Sequence, residues 1–238
     1  MDLFTAATVV LSAAIILYAF LKKKIDASGF VAAGVVGLAV LLSVGPEWLY
    51  LILAFFILGN VVTRYKYKVK DDEGLAEKSR SFKNVLGNGG AAIVYALLYR
   101  LIDNNPLFLL GFLGSMAAAT ADTFATEVGE AHDKHPILVT TWKKVKRGTS
   151  GAISPTGCMA ALIGAAAVSI VPSFFDTLLD KPLLFGIGTV SGCIGCAVDS
   201  LVGATIEGKS KFLDNHTTNF IGTLAGGLSA LMIYAFLV

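Results

Sequence analysis

Carboxylate side chains end two long apolar stretches of the sequence with the same spacing. Asp122 and Glu130 end one stretch, Asp199 and Glu207 end another, and the acids of each pair are eight positions apart. Charged side chains at the edge of a bilayer are costly, so they usually serve a function. Because carboxylate oxygens bind hard cations such as Mg²⁺, the two pairs indicate a metal-dependent reaction at one face of a membrane.

Helix geometry decides which of these acids can act together. Each residue of an α-helix turns about 100°, so Asp122, Thr126 and Glu130 share one stripe. Glu127 points well away from Asp122 on a continuous helix, and it joins the site only if the helix breaks there or if it faces a neighbouring helix. The candidate metal ligands on the two stripes are Asp122, Glu130, Asp199 and Glu207.

A cluster of basic and polar residues beside glycines predicts a first phosphate site. Lys83 and Asn84 run into the glycine-rich residues 87–90, where a predicted membrane span begins. Backbone amides at a helix start attract anions, and glycine lets a phosphate approach the backbone. The same glycines could instead allow tight packing between helices.

A second cluster precedes another predicted span. Lys146 and Arg147 lead into GTSGAISPTG at 148–157, where the hydroxyls of Thr149 and Ser150 add donors to the free amides of a helix start. The segment is not a Walker A motif, because the lysine that follows glycine in that motif is missing. This cluster also predicts phosphate binding, with lipid head groups as the alternative ligand for single basic residues.

Carboxylates beside phosphate sites form the set that a magnesium-dependent phosphoryl or nucleotidyl transfer needs. The acids hold the cation, the cation bridges phosphate oxygens, and basic groups and amides offset charge in the transition state. Cys158, Cys193 and Cys196 are predicted to be small packing residues within the spans, so zinc and copper are not expected. An interhelical hydrogen bond or salt bridge is the structural alternative for Asp122 and Asp199.

The composition places these residues in a polytopic membrane protein. Of 238 residues, 55% are hydrophobic and 15% are charged, which argues against a water-soluble globule. Apolar runs of about 17 to 25 residues can each cross a bilayer as a helix. Eight such runs are predicted, some of them glycine-rich and open to breaks, at residues 2–21, 27–45, 47–65, 84–102, 106–128, 149–171, 182–204 and 217–238.

The positions of the basic residues predict the orientation. Of the 19 Lys and Arg residues, 17 fall on alternate loops, and cytoplasmic loops collect such residues. We therefore expect a multi-pass cell-membrane protein with both termini outside and the acids on the cytoplasmic face. The basic residues are spread over short loops, which argues against nucleic-acid binding.

The predicted fold is all-α, with one transmembrane domain in three parts. Residues 1–65 are expected to form scaffold helices, 66–83 a solvated cytoplasmic loop, and 84–238 the catalytic helices. The fifth and seventh spans form a weak parallel repeat, since each begins at a proline and ends at an Asp with a hydroxyl neighbour, which is Thr123 in the first case. Chance similarity between glycine-rich helices is the alternative.

The ordered set of motifs resembles a known family. KNVLGNGG, ADTFATEVGE, VTTWKKVKRGTSGAISPTG, DSLVGATIE and HTTNF occur in that order and cover about residues 80–238 in detail. Together they are similar to the integral membrane family that includes the plant plastid phytyl phosphate kinase. No single one of these motifs is specific.

The resemblance implies a reaction and roles for residues. It implies phosphoryl transfer from a nucleoside triphosphate, with CTP among the candidates, to an isoprenyl monophosphate such as geranylgeranyl or phytyl phosphate, giving the diphosphate. In that family pattern Asp122, Glu127 and Asp199 correspond to metal or phosphate ligands. Lys146, Arg147, Thr149 and Ser150 correspond to phosphate contacts, and Asn88 and Asn219 match polar positions.

Two other functions fit parts of the pattern. A lipid cytidylyltransferase that makes CDP-lipids would also place acid-rich motifs after membrane helices. An ion-coupled transporter would use broken, glycine-rich helices that carry acids, but it predicts those acids near the middle of the membrane, whereas here they lie at one edge.

Overall fold

The computed structural model describes residues 2–77, 79–175, 180–209 and 213–237. Lys78 and Lys211, which contribute to the charge bias, and Val238, the predicted end of the last span, lie outside these ranges. The helices of the described residues are α1 (Leu3–Leu21), α2 (Ala27–Val44), α3 (Leu49–Arg64), α4 (Tyr67–Asp71), α5 (Phe82–Leu101), α6 (Leu107–His132), α7 (Pro155–Ser169), α8 (Lys181–Thr205) and α9 (Asn215–Leu237). A two-residue hairpin precedes α7, in which β1 (Ile137–Leu138) pairs antiparallel with β2 (Ala152–Ile153).

The predicted all-α polytopic fold is confirmed. Five of the described helices, α1, α2, α6, α8 and α9, are long and apolar enough to cross a membrane, and α7 reaches that length together with the 3₁₀ turn that continues it to Phe174. Helix α3 is a shorter apolar helix of 16 residues. Each predicted span corresponds to one helix, with α5 corresponding to the span predicted at 84–102. The protein therefore passes through the membrane several times.

Helix α6 is the centre of the molecule. In the most apolar 18-residue stretch of α6, 67% of the residues are buried, against 17% in the corresponding stretch of α1. Helix α6 contacts α7, α8, α9, α5 and α3. Small residues let the backbones approach closely. A Cβ on Gly114 would lie 2.6 Å from the Gly226 carbonyl oxygen of α9, and a Cβ on Gly195 of α8 would lie 2.5 Å from the Ala118 Cβ.

Helices α6 and α8 run side by side in the same direction. Gly114 approaches Ser191, Ala118 approaches Gly195, and Asp122 meets Asp199, so the contacting positions keep one offset along the chain. Both helices are continuous through their aspartates. The similar sequence plan of the two spans thus brings their two aspartates to the same level.

The ring of Tyr95 joins three helices beside this centre. A Cβ at Gly111 of α6 or at Gly227 of α9 would lie 2.4 or 2.1 Å from atoms of the ring, so only glycine fits on these two helices. The Tyr95 hydroxyl donates to the carbonyl oxygen of Leu224 on α9 at 2.8 Å. The phenol is thus both enclosed and satisfied as a donor.

The glycine-rich residues 87–90 lie within α5 and not at its start. The helix begins at Phe82 with a capping box in which Ser81 N donates to Asn84 Oδ1 at 2.9 Å. A Cβ at Gly87 would lie 2.8 Å from the carbonyl oxygen of His216. These glycines therefore do not stand at a helix start, and they allow close packing against the start of α9. Phosphate binding by the neighbouring polar residues stays a prediction.

Two further expectations differ from the structure. Helix α7 begins at Pro155 and not at residue 149, because Ser154 caps it through Gly157 N at 3.1 Å and proline favours the first helical position. Residues 66–83 are not simply a solvated loop, since they contain α4, whose Lys70 is completely buried.

Candidate functional site

A cavity of about 660 Å³, lined by charged, polar and apolar side chains, opens among α5, α6, α7, α8 and α9. Residues 147–153 form one wall, and residues from the segment between α4 and α5 complete another. The predicted site residues that line it are Asn84, Asn88, Asp122, Thr123, Glu127, Glu130, Arg147, Thr149, Ser150, Asp199, Glu207 and Asn219. The structure thus brings together residues that are up to 135 positions apart in the chain, as Asn84 and Asn219 are.

The carboxyl groups of Asp122 and Asp199 both line the cavity and are close enough to interact with each other. Asp199 Oδ2 is buried and receives no hydrogen bond from a donor among the described residues. The site is closed behind this carboxyl by Gly222 of α9, where a Cβ would lie 2.8 Å from the Asp199 Cβ. Two carboxyl groups in contact repel each other when both are charged, so they need a shared proton or a cation.

Glu127 faces away from this pair, as the helix geometry predicts. Its side chain forms a buried ion pair with Lys70 of α4, and Lys70 Nζ also donates to the carbonyl oxygen of Thr63 at 2.8 Å. Glu127 is only 8% exposed and Lys70 is 0% exposed, so each charge is neutralised by the other. The counter-charge from α4 therefore explains why an acid can occupy position 127, and α6 is not broken there.

Glu130 and Glu207 occupy other parts of the cavity. Glu207 Oε1 accepts a hydrogen bond from Ser150 Oγ at 2.6 Å, and Glu130 lies among the charges of Glu127, Lys70 and Arg147. No group of three or more His, Cys, Asp or Glu side chains in the described ranges is arranged to hold a metal ion. The five predicted metal ligands therefore do not form one cluster, and their metal-binding role stays a prediction.

Arg147 carries a buried positive charge into the cavity wall. It is 5% exposed, its Nη1 donates to Glu73 Oε1 at 3.0 Å, and its Nε donates to the Asp133 carbonyl oxygen at 3.3 Å. A hydrogen bond from the Thr156 hydroxyl holds the pKa of the Asp133 carboxyl below its usual value. These contacts fix the guanidinium at the end of α6, close to the acids.

Thr149 and Ser150 lie in a turn before β2, several residues before the start of α7. Thr149 Oγ1 donates to the Lys146 carbonyl oxygen at 2.6 Å. The flanking glycines, Gly148 and Gly151, have φ values of +77° and +74°, which residues with a side chain rarely adopt. The donors here are thus presented by a tight turn and not by the free amides of a helix start.

Asparagine side chains line the cavity opposite this turn. Asn84 Nδ2 donates to Glu77 Oε1 at 2.7 Å, and Asn88 Nδ2 donates to the Asn84 carbonyl oxygen at 3.0 Å. Asn88 Oδ1 is buried without a partner among the described residues. Asn219 and Asn215 of α9 complete this wall.

Two predicted phosphate contacts lie outside the cavity lining. Lys83 is an exposed residue whose Nζ contacts Asp214 Oδ2 at 3.2 Å, and this contact helps to lower the pKa of Asp214 to about 2, after the hydrogen bond from Thr217 N. Lys146 also does not line the cavity. The structure does not bring these two side chains to the acids.

Lys70, Glu73 and Glu77 contribute to the site, although no sequence motif points to any of them. The mixed charges of residues 64–83 suggested a solvated loop, and burial of one lysine leaves no mark on composition. A signal that could have found them was Glu127 itself, an acid on an apolar helix with no partner nearby in the sequence.

Comparisons with known proteins agree with this architecture. A family model described as integral membrane protein DUF92 matches residues 10–227. An uncharacterized membrane protein of Methanocaldococcus jannaschii, MJ0933, is 37% identical over 221 residues, which cover 92% of this chain and 90% of that protein. The chloroplastic protein VTE6 of Arabidopsis thaliana is 30% identical over 227 residues, covering 92% of this chain and 68% of that protein. No solved structure matches the chain.

Proposed function

The chain belongs to the DUF92 family of integral membrane proteins, and we propose that it is a membrane kinase that phosphorylates an isoprenyl monophosphate. A nucleoside triphosphate would donate the phosphoryl group, and the product would be the isoprenyl diphosphate. The observation that carries this proposal is the contact of Asp122 with Asp199 inside a cavity built from apolar helices. The similarity to the chloroplastic protein VTE6 also supports the proposal. So does the resemblance of the motifs to the family that includes the plant plastid phytyl phosphate kinase.

The aspartate pair fits a magnesium ion. Asp199 Oδ2 is buried without a donor, and Mg²⁺ is usually bound by one or two carboxylates together with water and substrate phosphates. Asp122 and Asp199 would hold the ion. The chemistry that the ion would supply there is positive charge beside the phosphate groups.

The remaining residues of the cavity divide between binding and support. The guanidinium of Arg147 would attract the phosphates, and Glu73 and the Asp133 carbonyl keep it in place. Thr149 and Ser150 would add hydroxyl and amide donors on the same wall. Glu127 would act indirectly, by fixing α4 through Lys70.

The reaction needs only positioning and charge stabilisation. An oxygen of the isoprenyl monophosphate attacks the γ-phosphorus, the bond to the β-phosphate oxygen breaks, and the nucleoside diphosphate leaves. The distribution of Lys and Arg supports a cytoplasmic position for the cavity, where the nucleotide is available, and a cell-membrane location with both termini outside.

The proposal is tested with the purified protein in lipid nanodiscs. With Mg²⁺, γ-labelled nucleoside triphosphates and geranylgeranyl monophosphate, we expect labelled diphosphate and free nucleoside diphosphate. Asp122→Asn should lower the rate by about three orders of magnitude, the scale expected when one carboxylate that binds the cation is lost. Asp103→Asn is the matched control, since Asp103 has a φ of +49° that asparagine adopts easily and lies in the turn before α6.

Two results would contradict the proposal. Full activity of Asp122→Asn would refute the site. Release of pyrophosphate and formation of a CDP-lipid would show that the protein is a lipid cytidylyltransferase instead of a kinase.

A further inference from the structure

The cavity wall has an opening between α7 and α8. Cys158 of α7 and Ala197 and Leu201 of α8 line the cavity and are also exposed, with Leu201 45% exposed. Leu162 and Ile194 lie about one turn away on the same two helices, are exposed, and do not line the cavity. These two side chains therefore face the surroundings of the helices, about one turn from exposed residues that line the cavity.

Contacts on both sides limit this opening, which we call the α7–α8 window. On one side the helices touch, because a Cβ at Gly192 would lie 3.0 Å from the Ala165 Cβ. On the other side the loop before α7 closes on the end of α8, where a Cβ at Gly151 would lie 2.4 Å from Ala204 N. The window thus lies between a tight helix contact and a tight loop contact.

The chemistry changes sharply across the window. Its rim is apolar and belongs to helices that are long and apolar enough to cross a membrane, so it faces lipid. Asp199 of α8 lines the same cavity, and its carboxyl lies beside Asp122. A ligand that bridges these two environments must have a charged head and a hydrocarbon tail.

We propose that the α7–α8 window holds the hydrocarbon tail of the lipid phosphate, while its phosphate head lies at the aspartate pair. This inference rests on the proposed function and adds to it the path of the lipid substrate. The tail passes from the cavity into the bilayer between Cys158 and Leu201. The part of the tail beyond the window makes no contact with the protein, so binding does not depend on its length. The nucleotide then has to enter from the aqueous side, past the turn that carries Thr149.

The first experiment narrows the window. Ala197→Trp should raise the KM for geranylgeranyl monophosphate about tenfold, as expected when a bulky side chain occupies the space of the tail. The KM for dimethylallyl monophosphate, whose short chain needs no exit, should remain within about twofold. Val190→Trp is the control, because Val190 is 52% exposed on the same helix and does not line the cavity. An equal effect of Ala197→Trp on both substrates would overturn the proposal.

The second experiment needs no catalysis. In the wild-type protein, geranylgeranyl monophosphate should slow the reaction of Cys158 with a membrane-soluble maleimide at least about fivefold, because a bound tail covers the thiol. Dimethylallyl monophosphate should not slow it. Leu162→Cys supplies the control thiol, which faces lipid beyond the window and should react at the same rate with and without either ligand.

The two experiments separate the window from the kinase activity. Protection of Cys158 by the long-chain ligand without any phosphoryl transfer would refute the kinase and leave the window intact. Phosphoryl transfer without protection and with no effect of Ala197→Trp would refute the window and leave the kinase intact.

Discussion

Replacing Lys70 alone should destabilise the protein more than replacing Lys70 and Glu127 together. Lys70 is 0% exposed and Glu127 is 8% exposed, so Lys70→Met leaves a carboxylate buried without its counter-charge. Breaking a buried ion pair in this way costs about 3 to 5 kcal/mol of the free energy of unfolding. In the double variant Lys70→Met/Glu127→Gln neither charge remains, and the main loss is the hydrogen bond to the Thr63 carbonyl, about 1 to 3 kcal/mol.

The assay is equilibrium unfolding of the purified protein in detergent micelles, with the two single variants and the double variant in one cycle. We expect a coupling free energy of about 2 kcal/mol between the two positions. Lys83→Met is the control, because the Lys83–Asp214 pair is 53% and 37% exposed and should contribute less than about 1 kcal/mol. A coupling below about 0.5 kcal/mol would refute the argument that Glu127 is held by a buried counter-charge.

Two more predictions concern the neighbourhood of the acids. Gly222→Ala should lower the rate of phosphoryl transfer at least about tenfold with little loss of helix content, because the new Cβ would meet the Asp199 Cβ at 2.8 Å. Gly186→Ala is the control and should leave the rate unchanged, because its Cβ would meet no atom within 4 Å. Equal rates for the two variants would contradict this account. Because its folded-state pKa is lowered, Asp133 should add stability that is fully present above its ordinary pKa of about 3.9 and is lost as the pH falls through the lower folded pKa. Thermal unfolding between pH 3 and 7 should therefore show Asp133→Asn less stable than wild type at neutral pH, with a difference that shrinks in acid; a constant difference would disprove the assignment.

The helices were predictable because membrane thickness imposes a length on every apolar run. All eight predicted spans correspond to helices, and the plan shared by the fifth and seventh spans matches the parallel contact of α6 with α8. The facing positions of Asp122 and Asp199 follow from that shared plan. Local sequence and a physical constraint were enough for this part of the molecule.

Contacts between distant residues were not predictable in the same way. The glycines at 87–90 serve equally well as a helix start or as a packing surface, and only the position of His216 on α9 decides between the two. Lys70 and Glu127 are separated by 57 positions, and no periodicity connects α4 with α6. Arg147, Thr149 and Ser150, which were predicted to contact phosphate at a helix start, line the cavity, but their backbone is set by Gly148 and Gly151 and not by a helix end. Their binding of phosphate stays a prediction.

The enclosure of the Tyr95 ring by α6 and α9 means that this part of the core can form only after α9 has been synthesised. Tyr95 and the acceptor of its hydroxyl, the Leu224 carbonyl, are 129 positions apart, so α5 leaves the ribosome long before α9 exists. At 5 to 20 residues per second the delay is roughly 6 to 26 s. During that time the phenol lacks its native acceptor, and the two glycine-lined faces that enclose the ring have not met. The last helix therefore acts as the closing step of assembly, and a chain shortened before Leu224 should expose the Tyr95 side of α5 to quality-control proteases.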